Sequence, residues 1–71
     1  MEKELLKKLQ EIIETDSELS EDIVLEDIVE WDSLSMMAVM AFFYETLSIS
    51  LLPSETREMT TVGDLVKKAG L

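Results

Sequence analysis

Leu5, Leu6, Leu9, Ile12 and Ile13 recur at the spacing of one helix face, and Lys3, Glu4, Lys7, Lys8 and Glu11 fill the other side. This pattern predicts an amphipathic helix from Met1 to about Glu14 with one buried stripe. From Thr15 to Asp32 the pattern is lost. Leu19, Ile23, Val24, Leu25, Ile28, Val29 and Trp31 are scattered among serines and acids at spacings that fit neither a helix nor a strand. The expectation is a long loop pinned to the core by some of these apolar residues, with a short turn around Ser20 to Val24. A short extra helix from Ser20 is the alternative, although Ser20-Glu21-Asp22-Ile23 offers a cap without a clear capping box. Loops this long are uncommon in compact domains and are often functional.

A second helix is predicted from about Ser33 to Leu47. Met36, Val39, Met40, Phe43 and Leu47 fall on one face and should pack on the first and last helices. The opposite face carries Leu34, Ala38, Ala41 and Glu45, with Met37 and Tyr44 on its flank. A helix apolar nearly all round is either central or presents its second face to something. Two occupants fit that face: a partner protein, or the long loop through Ile28 and Trp31. Pro53 stops any preceding helix and opens a short third one over Pro53 to Met59. Thr61-Val62-Gly63-Asp64 has the spacing of a capping box, with aspartate in place of glutamate. Val62, Leu65, Val66 and Ala69 then line a last helix ending at Gly70. The expected architecture is all-α: a small antiparallel bundle of three main helices plus a short one, with the long loop between helices one and two.

Composition narrows the functions open to such a bundle. A chain of 71 residues makes one domain, spanning 1–71, and a core of this size supplies roughly 3–5 kcal/mol. It has no room for a deep active site. There is no cysteine and no histidine, so thiolate ligands, a cysteine nucleophile and the commonest general base are all missing. Sixteen acids against six bases leave a formal net charge of -10. That balance argues against nucleic acid and anionic membrane surfaces and favours partners with basic patches. Met1-Glu2-Lys3-Glu4 carries no apolar signal region, and no stretch is long and apolar enough to span a bilayer. The expectation is a soluble cytoplasmic protein, a monomer, without membrane insertion.

One serine stands out by position. Asp32 is placed to cap the second helix by accepting from its first free N–H groups. Ser33 then occupies the first helical position, its hydroxyl exposed where backbone dipoles suit a phosphate. Catalysis by Ser33 itself is not expected, because a serine nucleophile needs a base and an oxyanion hole and neither is visible. The acids have no cleft to desolvate them. Asp16-Ser17-Glu18-Leu19-Ser20-Glu21 lacks the glycine and alternating ligands of a calcium loop, so it reads as a solvated acidic segment rather than a metal site. What remains is a hydroxyl modified by another protein.

At this point the chain resembles the acyl and peptidyl carrier proteins. Asp32-Ser33-Leu34 is similar to their Asp-Ser-Leu motif, whose serine carries 4'-phosphopantetheine. Leu25-Glu26-Asp27-Ile28 is similar to the apolar-Glu-Asp-Leu stretch that precedes it, and Met59-Thr60-Thr61-Val62 to the Ile-Thr-Thr-Val start of their last helix. The resemblance covers nearly the whole chain. It implies a non-enzymatic carrier with a covalent 4'-phosphopantetheine arm on Ser33, holding an acyl or aminoacyl group as a thioester. Its implied partners are a phosphopantetheinyl transferase, an acyl- or aminoacyl-loading ligase, and acyltransferase or synthase enzymes of fatty acid or secondary metabolite biosynthesis. Ser35, Met36, Met37 and Ala38 stand where many fatty-acid carriers have acids, and Glu30-Trp31 looks more like the specialised stand-alone carriers. The expected partner interface is Asp32, Leu34, Met37, Ala38, Ala41 and Tyr44, working more by apolar contact than by charge. The competing expectation is a small acidic helical interaction module with no prosthetic group.

Overall fold

The stripe on the first helix is where the core begins. The computed structural model describes residues 2–70, and over these the first helix, α1, spans Glu2–Ile13 with Leu5, Leu9 and Ile13 buried. It stops one residue short of the expected Glu14 because that residue turns left-handed, at φ 61°, and the amide of Thr15 reaches back to the carbonyl of Gln10 at 3.3 Å. Left-handed geometry at the residue after a helix satisfies carbonyls that would otherwise lack donors. Met1 lies outside the described residues.

The second helix, α2, spans Ser33–Leu47 as its periodicity predicts. Val39 and Phe43 are fully buried, and Met36, Met40, Phe42 and Leu47 are half-buried on either side. The Phe42 and Phe43 rings meet edge to face with centroids 6.0 Å apart, a favoured aromatic geometry. α1 and α2 run antiparallel. The start of α1, at Leu5 and Lys8, faces the end of α2 at Phe42 and Thr46 across one open groove. The end of α1, at Ile12 and Ile13, faces the start of α2 at Leu34, Ser35 and Ala38 across another.

Two short helices close the bundle. α3 spans Pro53–Glu58, opening on Pro53 and stopping one residue before the expected Met59. The Leu52 amide donates to Glu55 Oε1 at 3.0 Å, and the buried Thr56 hydroxyl donates to the Leu52 carbonyl at 3.1 Å. α4 spans Val62–Lys68, with Ala69 as its cap. Asp64 plays the expected reciprocal part at its start, accepting from the amides of Thr60 at 2.8 Å and Thr61 at 3.1 Å. These two donors hold the Asp64 carboxyl below the usual carboxylate range. Lys68 Nζ reaches Glu55 Oε2 at 2.7 Å and ties α4 to α3. The expected packing of α2 on the first and last helices needs correction. α1 is its main neighbour and α3 its second, while α4 lies chiefly against α1.

The result is an all-α domain of four helices and one 3-10 turn, with no strand among the described residues. The alternative helix from Ser20 does not form. The chain makes a turn at Glu21–Asp22, as expected for that stretch, and then a 3-10 turn over Leu25–Asp27. Leu19, Leu25 and Ile28 are the loop's buried anchors, with Ile23 and Trp31 packed at the core's edge. Val29 takes no part and is 92% exposed. Backbone bonds hold the loop as well. Val24 and Thr61 form an isolated antiparallel bridge. The Leu25 amide donates to Thr60 at 2.8 Å, Val62 to Ile23 at 2.9 Å and Gly63 to Glu21 at 2.9 Å. An irregular segment thereby pairs polar groups that burial would otherwise strand. No described helix is long and apolar enough to cross a membrane.

Candidate functional site

The junction between loop and α2 is built by two residues three apart. Asp32 has extended backbone, and its Oδ1 accepts from the Ser35 amide at 2.9 Å. The Ser35 hydroxyl returns the contact by accepting from the Asp32 amide at 2.8 Å. It also lies 3.0 Å from the carbonyls of Glu30 and Asp32. Two amides at the helix start, one on the cap itself, are thus satisfied reciprocally. Asp32 is the cap the sequence predicts. Ser35 is the partner that sequence reasoning missed, since capping boxes usually carry glutamate or glutamine at that place. The signal was present in the Asp32-to-Ser35 spacing.

Ser33 sits inside this box, at the first position of α2, and is exposed. Its side chain joins none of the hydrogen bonds among the described residues. Asp32 and Leu34 on either side are exposed as well. A group attached to the Ser33 oxygen therefore displaces nothing from the core, and the adjoining helix start presents backbone N–H groups toward that side. An open groove of about 360 Å³ begins beside the serine, lined by Ile12, Ile13, Glu30, Leu34, Ser35 and Ala38 among others.

Behind Ser33 runs the outer side of α2. Leu34 is 76% exposed, Met37 61% and Tyr44 68%, and Ala38, Ala41 and Glu45 are exposed between them. The loop does not cover this surface, because Ile28 is spent in the core and Trp31 packs at its edge. Glu45 is the single charge among these six positions, in a chain whose net charge is -10. All the residues singled out from the sequence, Asp32, Ser33, Leu34, Met37, Ala38, Ala41 and Tyr44, thus lie on one helix and its cap.

Elsewhere in the loop, Asp22 serves local structure. The Ser20 hydroxyl donates to Asp22 Oδ1 at 2.6 Å and holds that carboxyl below its ordinary range. Glu21 is pushed the other way by a hydrogen bond and like charge from Glu2. No group of acidic side chains among the described residues is arranged to hold a metal ion. Compared with family models, with curated proteins and with solved structures, the chain matches none.

Proposed function

We propose that the protein is a stand-alone acyl or aminoacyl carrier, with Ser33 as the attachment point of a 4'-phosphopantetheine arm. The observation that carries the reading is the exposed Ser33 hydroxyl at the first turn of a capped helix, heading an uncovered apolar face. The motif resemblance around Asp32-Ser33-Leu34, Leu25-Glu26-Asp27-Ile28 and Met59-Thr60-Thr61-Val62 supports it.

In this reading Ser33 Oγ is the nucleophile toward the pyrophosphate of coenzyme A, held by a separate transferase with Mg²⁺. Its oxygen forms one new bond to phosphorus as the bridging P–O bond breaks. The hydroxyl proton passes to a base on the transferase, and the adenosine bisphosphate leaves. This chain has no histidine to act as that base. When bound, the arm supplies a terminal thiol that holds the cargo as a reactive thioester. The chain's own part is to hold Ser33 at a fixed place and present Leu34, Met37, Ala38, Ala41 and Tyr44 to partner enzymes. Those partners are the transferase, a loading ligase and an acyltransferase or synthase, in the cytoplasm, with the carrier acting as a monomer.

The test is incubation with coenzyme A, Mg²⁺ and a broad-specificity transferase, read by intact mass. One phosphopantetheine adduct is expected on the wild type and none on Ser33→Ala, with the helical circular dichroism of the two unchanged. Adduct on Ser33→Ala, or none on the wild type beside a loaded control carrier, would overturn the reading. The uncovered face of α2 also suits a second reading, an acidic module that binds a partner helix and carries no arm. Intact mass of the protein taken from its own host separates the two.

A further inference from the structure

We infer that Ser35 is a positioning residue for the modification of Ser33. The inference rests on the carrier reading above. Its basis is the double use of one buried hydroxyl. Ser35 is 7% exposed, and its oxygen accepts from the Asp32 amide at 2.8 Å. The same hydroxyl has one proton to donate, and two carbonyls lie at 3.0 Å, those of Glu30 and Asp32. The Asp32 carbonyl already accepts from the Met36 amide at 2.9 Å within the helix. The Glu30 carbonyl is therefore the better-served target. The hydroxyl links residue 35 to residues 30 and 32 together, and Ser33 lies inside the loop so closed.

The consequence for Ser33 follows from where helices loosen. The first turn of a helix frays unless its free amides find acceptors. Asp32 Oδ1 satisfies the Ser35 amide and the Asp32 carbonyl takes the Met36 amide, but the Asp32 amide and the Glu30 carbonyl are tied to this turn through the Ser35 hydroxyl. With that clamp in place the backbone of Ser33 is held in one geometry, and its Oγ is confined to the few rotamer positions which that backbone allows. Without it the nucleophile is spread over more positions, and reaction rates fall steeply with small misplacement. Met37 and Tyr44 of the docking surface are exposed and lie beyond the clamped turn, so they do not depend on it. Ser35 therefore governs the rate of transfer within the docked complex more than the affinity of docking.

Ser35→Ala removes donor and acceptor at once. Ser35→Thr keeps both, at a position that borders the groove of about 360 Å³. The experiment follows arm transfer from coenzyme A under steady state, together with amide hydrogen exchange of the protein without the arm. Ser35→Ala is expected to lower the kcat of transfer roughly five- to tenfold, with KM for the carrier within about twofold. The amides of Asp32 and Ser35 should exchange about tenfold faster, a larger change than at Leu9 and Phe43, which follow only the change in global stability. Ser35→Thr should return both readings to wild-type values, which a generic loss of packing would not allow. If Ser35→Ala does not fold, Ser35→Cys replaces it, its thiol being a weak donor and acceptor, with the same changes expected. Wild-type kcat in the variant lacking the hydroxyl, or failure of threonine to restore it, overturns the positioning role alone. A wild type that takes no arm from a transferase active on a control carrier overturns the carrier reading and this role with it. The exchange measurement judges the clamp in either event.

Discussion

Gly63 lies directly against the loop backbone at Glu21. Its amide donates to the Glu21 carbonyl at 2.9 Å, and a Cβ at position 63 would stand 3.0 Å from that same oxygen and 3.3 Å from the Glu21 Cβ. The glycine is there for close approach, not for an unusual dihedral. Gly63→Ala sets two effects against each other. Helix propensity favours alanine by about 1 kcal/mol. Overpacking against a backbone atom that is itself hydrogen-bonded costs about 1–3 kcal/mol. The expected outcome is a net destabilisation of up to about 2 kcal/mol in urea unfolding, with faster amide exchange at Leu25 and Gly63. A stabilised variant would show that the loop yields at no cost.

Phe43 is fully buried and stands at the centre of the α2 face that packs inward. Phe43→Ala should cost about 3–5 kcal/mol. That is the whole stability expected of a core this small, about 3–5 kcal/mol. Loss of cooperative thermal unfolding at 25 °C is therefore expected, read by circular dichroism. A sharp transition close to that of the wild type would mean that the core repacks around the missing ring.

Met37→Glu and Ala41→Glu probe the outer side of the same helix. Both positions are exposed, so each variant should keep its unfolding free energy to within about 0.5 kcal/mol. In the carrier reading each should slow loading by the cognate enzyme, with little dependence on salt. Unchanged loading rates in both variants would remove α2's outer face from the interface.

Acid should act on the fold in two opposing ways. Glu55 is held low by the Lys68 ammonium and the Leu52 amide, and Asp64 by the Thr60 and Thr61 amides. Groups lowered in the folded state contribute stability above their unfolded pKa and lose it as pH falls through the folded one. Glu21 is raised instead, by its hydrogen bond with Glu2 and that residue's charge. Its carboxylate therefore weakens the fold at neutral pH, and the penalty fades as pH falls through the raised value toward the ordinary 4.5. Glu21→Gln should raise Tm at pH 7, with the gain shrinking toward zero below about pH 4.5. An equal gain at pH 7 and pH 4 would assign the effect to something other than charge.

The two faces of α2 were legible because each rests on side-chain periodicity. Val39 and Phe43 point in, while Met37 and Tyr44 point out, as a repeat of 3.6 requires. Ser33 at the first helical position was legible through Asp32. The loop was legible only as a loop. Its stitching to residues 60–63 is made by main-chain groups, which every residue carries and which leave no mark in the sequence. Gly63 read as a place in a capping box, because nothing local announces that a distant carbonyl will lie against it. α1 is the neighbour expected for α2, but α3 takes the place expected for the last helix, for a related reason: periodicity says which face is buried, not which helix buries it.

The bridge between Val24 and Thr61 joins points 37 residues apart, with Ser33 lying between them. A chain leaving the ribosome exposes its serine well before the residues that anchor the approach to it. The Ser35 clamp needs only residues 30 to 35 and can close early, whereas the long-range partners of the segment from Glu21 to Leu25 are residues 60 to 63. Translation thus delivers the serine before the residues that stitch its loop to α4. In the carrier reading, an enzyme that recognises Ser33 on the finished domain therefore acts after synthesis has passed the start of α4, and a chain cut short before Thr60 would present the same serine on an untethered loop.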